Sequence, residues 1–119
     1  MAEIQNPNKY DLEERTARFA ERTREYVKLL PRTISNIEYG KQLIRSSGSQ
    51  AANYIEANES LGKKDFLMKA KICRKETKES KLWLRLSEPL PEKRVEKEEL
   101  LGEADELVRI FGSIITKSK

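Results

Sequence analysis

A chain of 119 residues, 37% charged and 37% apolar, has material for one hydrophobic core but not two, and that balance suits long amphipathic helices rather than disorder. Its net charge of +4 is reached without a single histidine. That absence excludes a His-containing catalytic triad, a Cys/His zinc site and the Glu-x-x-His di-iron motif of helical carboxylate proteins.

The spacing of apolar residues predicts four helices and no strand. Residues 1–10, with Asn6-Pro7-Asn8, read as a loose tail, and MAEIQNPNKYDLEE lacks the apolar segment a signal peptide needs. Helix one, about 11–30, opens on Asp11 as N-cap with Glu14 three residues on. Its apolar line is Leu12, Phe19, Tyr26, Val27 and Leu30, and Pro31 ends it. Helix two, about 34–60, runs from about Thr33 or Ser35 and places Ile37, Gly40, Ile44, Ser47, Gly48, Ala51 and Ile55 on one side. Gly62 breaks the chain before helix three, about 63–87. There Phe66, Ala70, Cys73, Thr77, Ser80, Leu84 and Ser87 recur in alternating steps of four and three, a heptad seam. Glu88-Pro89-Leu90-Pro91 stops helix three, and Pro91 fits the first turn of helix four, about 91–117. In helix four Leu100, Leu101, Ala104, Leu107, Val108, Phe111, Ile114 and Ile115 form the cleanest amphipathic pattern of the chain. Helices of this length on short connections fold back on one another. The expected fold is therefore one all-α domain over 1–119, an antiparallel up-down-up-down four-helix bundle.

Helix two sets its weakest formers, Ser46-Ser47-Gly48-Ser49, near its middle, where a glycine costs about 1 kcal/mol relative to alanine. Small side chains let helices approach closely. Ser47, Gly48 and Ala51 lie with the apolar stripe, whereas Ser46, Ser49 and Asn53 point away from it. Close packing inside one bundle accounts for the first group; a helix gripped by its own bundle and by a second subunit accounts for both.

Charge is concentrated. Residues 61–88 carry nine basic and four acidic side chains, whereas residues 1–30 and 31–60 are each balanced and residues 89–119 carry six basic and seven acidic. At about 100° per residue, Lys64, Lys71, Arg74, Lys75, Lys78, Lys81 and Arg85 fall within roughly one third of helix three's circumference, with no Asp or Glu of that helix among them. An ordinary solvated face explains many such stripes, but exposed faces usually interleave both signs because like charges repel. A surface for phosphates, read at the level of the backbone, offsets that repulsion. The arc is poor in aromatics, so stacking on single-stranded bases is not indicated. A protein-interaction scaffold with an acidic partner is the alternative.

On the opposite side, Glu76 sits among apolar neighbours, where an unpaired carboxylate is expensive. Arg45 of helix two is its expected partner, within or between subunits, and Ser49, Asn53, Glu56 and Glu79 are candidates for the same buried polar network or subunit interface. No catalytic constellation, cofactor motif or metal site stands out. Gly62-Lys63-Lys64 matches only the end of a phosphate-binding loop and lacks its earlier glycine, its Ser/Thr and its strand. Cys73, the sole cysteine, reads as a small buried hydrophobe and Trp83 as core or interface. One cysteine, no signal peptide and no apolar run long enough to span a bilayer point to a cytoplasmic protein without a membrane.

Three stretches carry a family resemblance: Tyr10-Asp11-Leu12-Glu13-Glu14-Arg15-Thr16, the central GKQLIRSSGSQAANYIEA, and KKDFLMKAKICRKETKESKLWLRL at 63–86. With these the chain resembles the bacterial four helix bundle protein family, named for proteins encoded in intervening sequences of 23S rRNA genes. That family includes the accessory variability determinants of diversity-generating retroelements. The resemblance implies a left-handed up-down bundle assembled as a ring-like homopentamer. It also implies a non-enzymatic role, clearest where a member binds nucleic acid (RNA or DNA) and a reverse transcriptase.

Overall fold

The computed structural model describes residues 9–119, so the expected N-terminal tail lies, up to Asn8, outside the described residues. Four helices follow in order: α1 Lys9–Lys28, α2 Ile34–Asn58, α3 Lys63–Leu86 and α4 Arg94–Ser118, the last entered through a 3-10 turn at Pro91–Lys93. No strand occurs among the described residues.

The helix ends follow from local chemistry. Thr33 is the N-cap of α2, and its hydroxyl accepts the backbone N–H of Asn36 at 3.1 Å. Gly62 precedes α3 in extended backbone and offers no side-chain cap. Asp11 does not cap α1, because the helix already runs at Lys9; it lies in the first turn, where a carboxylate complements the helix dipole. Pro91 opens the tighter 3-10 turn instead of the α-helix itself, which delays α4 to Arg94.

Consecutive helices pack on one another, α2 on α3 most extensively, and the first and last helices, α1 and α4, meet least. Phe19, Leu43, Tyr54, Leu84, Leu100, Leu107 and Phe111 form the centre of the core. The α3 seam is buried from Ala70 to Ser87, with Phe66 partly covered. Because its middle residues are small, α2 comes close enough for the hydroxyls of Ser46 and Ser80 to meet at 2.8 Å. Between α1 and α2, a Cβ added at Gly40 would lie 3.0 Å from Val27 Cγ1, so this glycine permits the approach. The thin α1–α4 boundary is bridged by ion pairs between long side chains. Arg15 holds Glu103 and Glu106, each at 2.7 Å, and Arg22 holds Glu99 at 2.9 Å.

The buried face of α2 is rotated from the one its hydropathy suggests. Ser46 and Gln50 are fully buried, whereas Ile44 and Ile55 are 47% and 48% exposed. Gly48 is exposed too, with nothing within 4 Å of an added Cβ. Buried polarity is possible here because most of it is hydrogen-bonded: Gln50 Nε2 donates to the Thr16 carbonyl at 2.8 Å and Ser46 meets Ser80, whereas Gln50 Oε1 has no hydrogen-bond partner among the described residues. Gly48 and the isoleucine line therefore belong to the surface, and Ser46 to the core.

One side chain ties the two loops at the same end of the molecule. Asn36 Nδ2 donates to the carbonyls of Pro31 at 3.0 Å and Glu88 at 2.9 Å, and its Oδ1 accepts the Glu88 N–H at 2.9 Å. Asn36→Ala strands all three backbone groups and is expected to cost roughly 2–4 kcal/mol. Urea unfolding at fixed protein concentration measures it; a loss below about 0.5 kcal/mol would show that each loop holds its shape without the amide.

Candidate functional site

α3 runs from Lys63 to Leu86 without glycine or proline, so its side chains keep one register along the whole element. Its seam faces the core, which turns Lys64, Lys71, Lys75, Lys78 and Arg85 to solvent, with Arg74 and Lys81 partly covered. Among the described residues, Lys64, Lys71, Arg74, Lys78 and Arg85 form no ion pair. The other two members of the stripe are committed in part: Lys81 pairs with Asp105 of α4, and Lys75 lies 3.9 Å from Glu76. A wheel drawn for α3 alone could not reveal Asp105, which reaches the stripe from the neighbouring helix. Lys71, Arg74, Lys75, Lys78, Glu79 and Leu82 line a shallow depression on this face. Glu79 does not neutralise it freely, because Arg45 Nη2 holds its carboxylate at 2.8 Å. The depression is thus cationic, with the exposed aliphatic Leu82 at its edge.

Glu76 is buried and meets Arg45 within the same chain, Nη1 to Oε1 at 3.2 Å. Arg45 bridges Glu76 and Glu79 and so ties α2 to α3 beside the stripe. The remaining candidates do not join this cluster. Asn53 donates to the carbonyl and hydroxyl of Ser49 one turn earlier, at 2.9 and 3.1 Å, and Glu56 pairs with Lys69 at 2.7 Å on the surface. Of the six, only Glu76 is buried. Lys69, absent from the sequence-derived stripe, is drawn toward α2 by that pair, so the free cations stay on the far side of α3.

Other chemistry has little foothold. Burial pushes the Cys73 thiol up to about 12, which keeps it protonated and unreactive near neutrality. Among the described residues no group of three or more His, Cys, Asp or Glu side chains is placed to hold a metal ion. No helix among them is long and apolar enough to cross a membrane. Trp83 stacks on Tyr39, ring centroids 5.9 Å apart, on the α2–α3 side of the molecule.

Compared with known proteins, residues 8–113 match the family model described as 23S rRNA-intervening sequence protein. Among solved structures the chain is similar to a crystal structure of a protein with unknown function from the S23 ribosomal protein family of Bacteroides thetaiotaomicron VPI-5482. The two share 28% identity over 87% of this chain and 96% of that one, with a TM-score of 0.73. No curated protein matches the chain.

Proposed function

The chain belongs to the 23S rRNA-intervening sequence protein family, and from that premise we propose that it is a non-enzymatic nucleic-acid-binding protein whose contact surface is the basic face of α3. The observation that carries this reading is the row of five cations, Lys64, Lys71, Arg74, Lys78 and Arg85, that no carboxylate among the described residues neutralises. Like charges at such spacing repel along a helix, and a phosphate backbone converts that repulsion into attraction while releasing counterions. Base readout is not part of the proposal: contacts to phosphates fix position and orientation and carry no sequence information.

The proposal extends to assembly. Ile44, Ile55 and Gly48 supply an uncovered apolar ridge on α2, suited to a second copy. Following the resemblance, the assembly is a ring-like homopentamer of left-handed, antiparallel up-down bundles in the cytoplasm. Each copy repeats the basic face, so avidity multiplies a weak phosphate contact. An adaptor role, holding a partner protein such as a reverse transcriptase alongside the nucleic acid, fits the same geometry.

Fluorescence anisotropy with labelled nucleic acid, titrated across salt, tests the core of the reading. If each of the five free cations displaces a counterion, log K falls against log salt with a slope of about −4.5 on duplex DNA. No binding at low salt would retire nucleic acid as the partner and leave a protein-interaction scaffold.

A further inference from the structure

We infer that the α3 face takes double-stranded nucleic acid, a stem of RNA or DNA held by its phosphates, in preference to an unpaired strand. The inference rests on the nucleic-acid reading above and adds the class of substrate to it.

The shape of the row is the first argument. Lys64 and Arg85 stand on one uninterrupted helix, twenty-one positions apart, which is about 31 Å at roughly 1.5 Å per residue. With no glycine or proline to bend it, α3 presents its cations as a stiff, nearly straight line. Over about 31 Å a duplex offers roughly 18 phosphates already fixed in space, because it carries one charge per ~1.7 Å of axis. A single strand offers about half that charge density, and must first be ordered to lie along the line.

The second argument is what the face lacks. Proteins that hold single strands without reading sequence combine a basic groove with aromatic side chains on which bases stack. Here the arc holds Leu82 and no aromatic residue. Trp83, the nearest ring in sequence, has turned off the arc to stack on Tyr39, and its indole N–H is buried. An unpaired base would find cations and an aliphatic side chain but no π face.

The test compares labelled RNA and DNA duplexes of about 20 base pairs, longer than the row at ~3.4 Å per pair, with their component strands, using the full chain at one low salt concentration. Both duplexes are expected to bind about tenfold or more tighter than either strand. Single strands that bind as tightly as duplexes, with the same salt slope, would overturn the inference and leave the nucleic-acid reading standing. If neither form binds, both fall together. A second variant isolates the cause: Lys75→Trp places a ring on the exposed arc and is expected to narrow the gap by tightening the single strands. If the variant folds with the helical content of the parent and single-strand affinity does not rise, the missing stacking surface is not what selects the duplex, and the second argument falls.

Discussion

The triple variant Lys71→Gln, Arg74→Gln, Lys78→Gln is expected to lose nucleic-acid binding at physiological salt while becoming slightly more stable. The loss follows from counterion arithmetic: each phosphate-contacting cation removed reduces the salt slope by about 0.9, so a slope near about −4.5 for five contacts falls to about −2 for the two that remain. The gain follows from the same residues. Lys71 stands three and four positions from Arg74 and Lys75, and Lys78 stands three or four from Arg74, Lys75 and Lys81. Like-charge pairs at these spacings destabilise a helix by about 0.2–0.5 kcal/mol each, and glutamine removes five of them without disturbing helix propensity. None of the three residues is in an ion pair among the described residues, so nothing is stranded. Anisotropy and thermal unfolding of one sample read both effects. Binding that persists with its salt slope unchanged would place the contact elsewhere on the surface. A melting point that drops by more than a few degrees would show that the stripe is structural.

Opposite signs for binding and stability would identify the stripe as a surface kept for a partner. A face that served only solubility would interleave glutamates, as α1 does where Arg24 and Lys28 flank Glu25 at 2.9 and 3.3 Å. The free cations of α3 stand apart from the carboxylates that hold the molecule together. Arg45 takes up Glu76 and Glu79, Lys69 takes up Glu56, and Arg15 and Arg22 take up the acidic edge of α4.

How much of this was legible in the sequence depends on what kind of neighbour a residue has. The α3 seam was legible because a heptad of small and apolar side chains needs only one helix's periodicity to be seen, and Ala70, Cys73, Thr77, Ser80 and Leu84 are all buried. The start of α2 was legible to within about a residue of Thr33, but that the Thr33 hydroxyl caps it emerges only from the structure. The α2 face was not legible. Hydropathy ranks Ile44 above Ser46 for burial, yet Ser46 has Ser80 opposite it and Gln50 has the Thr16 carbonyl, pairings that depend on two other helices. Asn36 follows the same rule: beside a cap it resembles a loop residue, and only the arrival of Glu88, 52 positions later, makes it a buried clamp. The stripe was legible as charge, but its division into free and committed members was not, since Asp105 sits on α4.

That misreading of α2 supports the second large expectation: Ile44→Glu with Ile55→Glu should convert the protein from an oligomer to a monomer without unfolding it. The two isoleucines lie on the apolar side of α2 that helical spacing predicts, and the fold leaves about half of each uncovered. Core isoleucines replaced by glutamate would cost well over 3 kcal/mol, from lost packing and from a buried charge. Surface ones should cost the monomer little. Gly48 lies on the same ridge and sharpens the point. A helix-interior glycine costs about 1 kcal/mol, and within this chain no neighbour occupies the space its missing Cβ leaves, unlike Gly40 against Val27. A helix from a second copy is the neighbour that would use it. Along the α1–α2 groove the ridge continues with Ala20 and Ser47, so an approaching helix meets small residues flanked by Glu21 and Arg24. Native mass spectrometry and circular dichroism decide together. A monomeric, fully helical double variant from an oligomeric parent places the interface on this ridge. A parent that is itself monomeric removes the assembly, and an unfolded variant would return both isoleucines to the core.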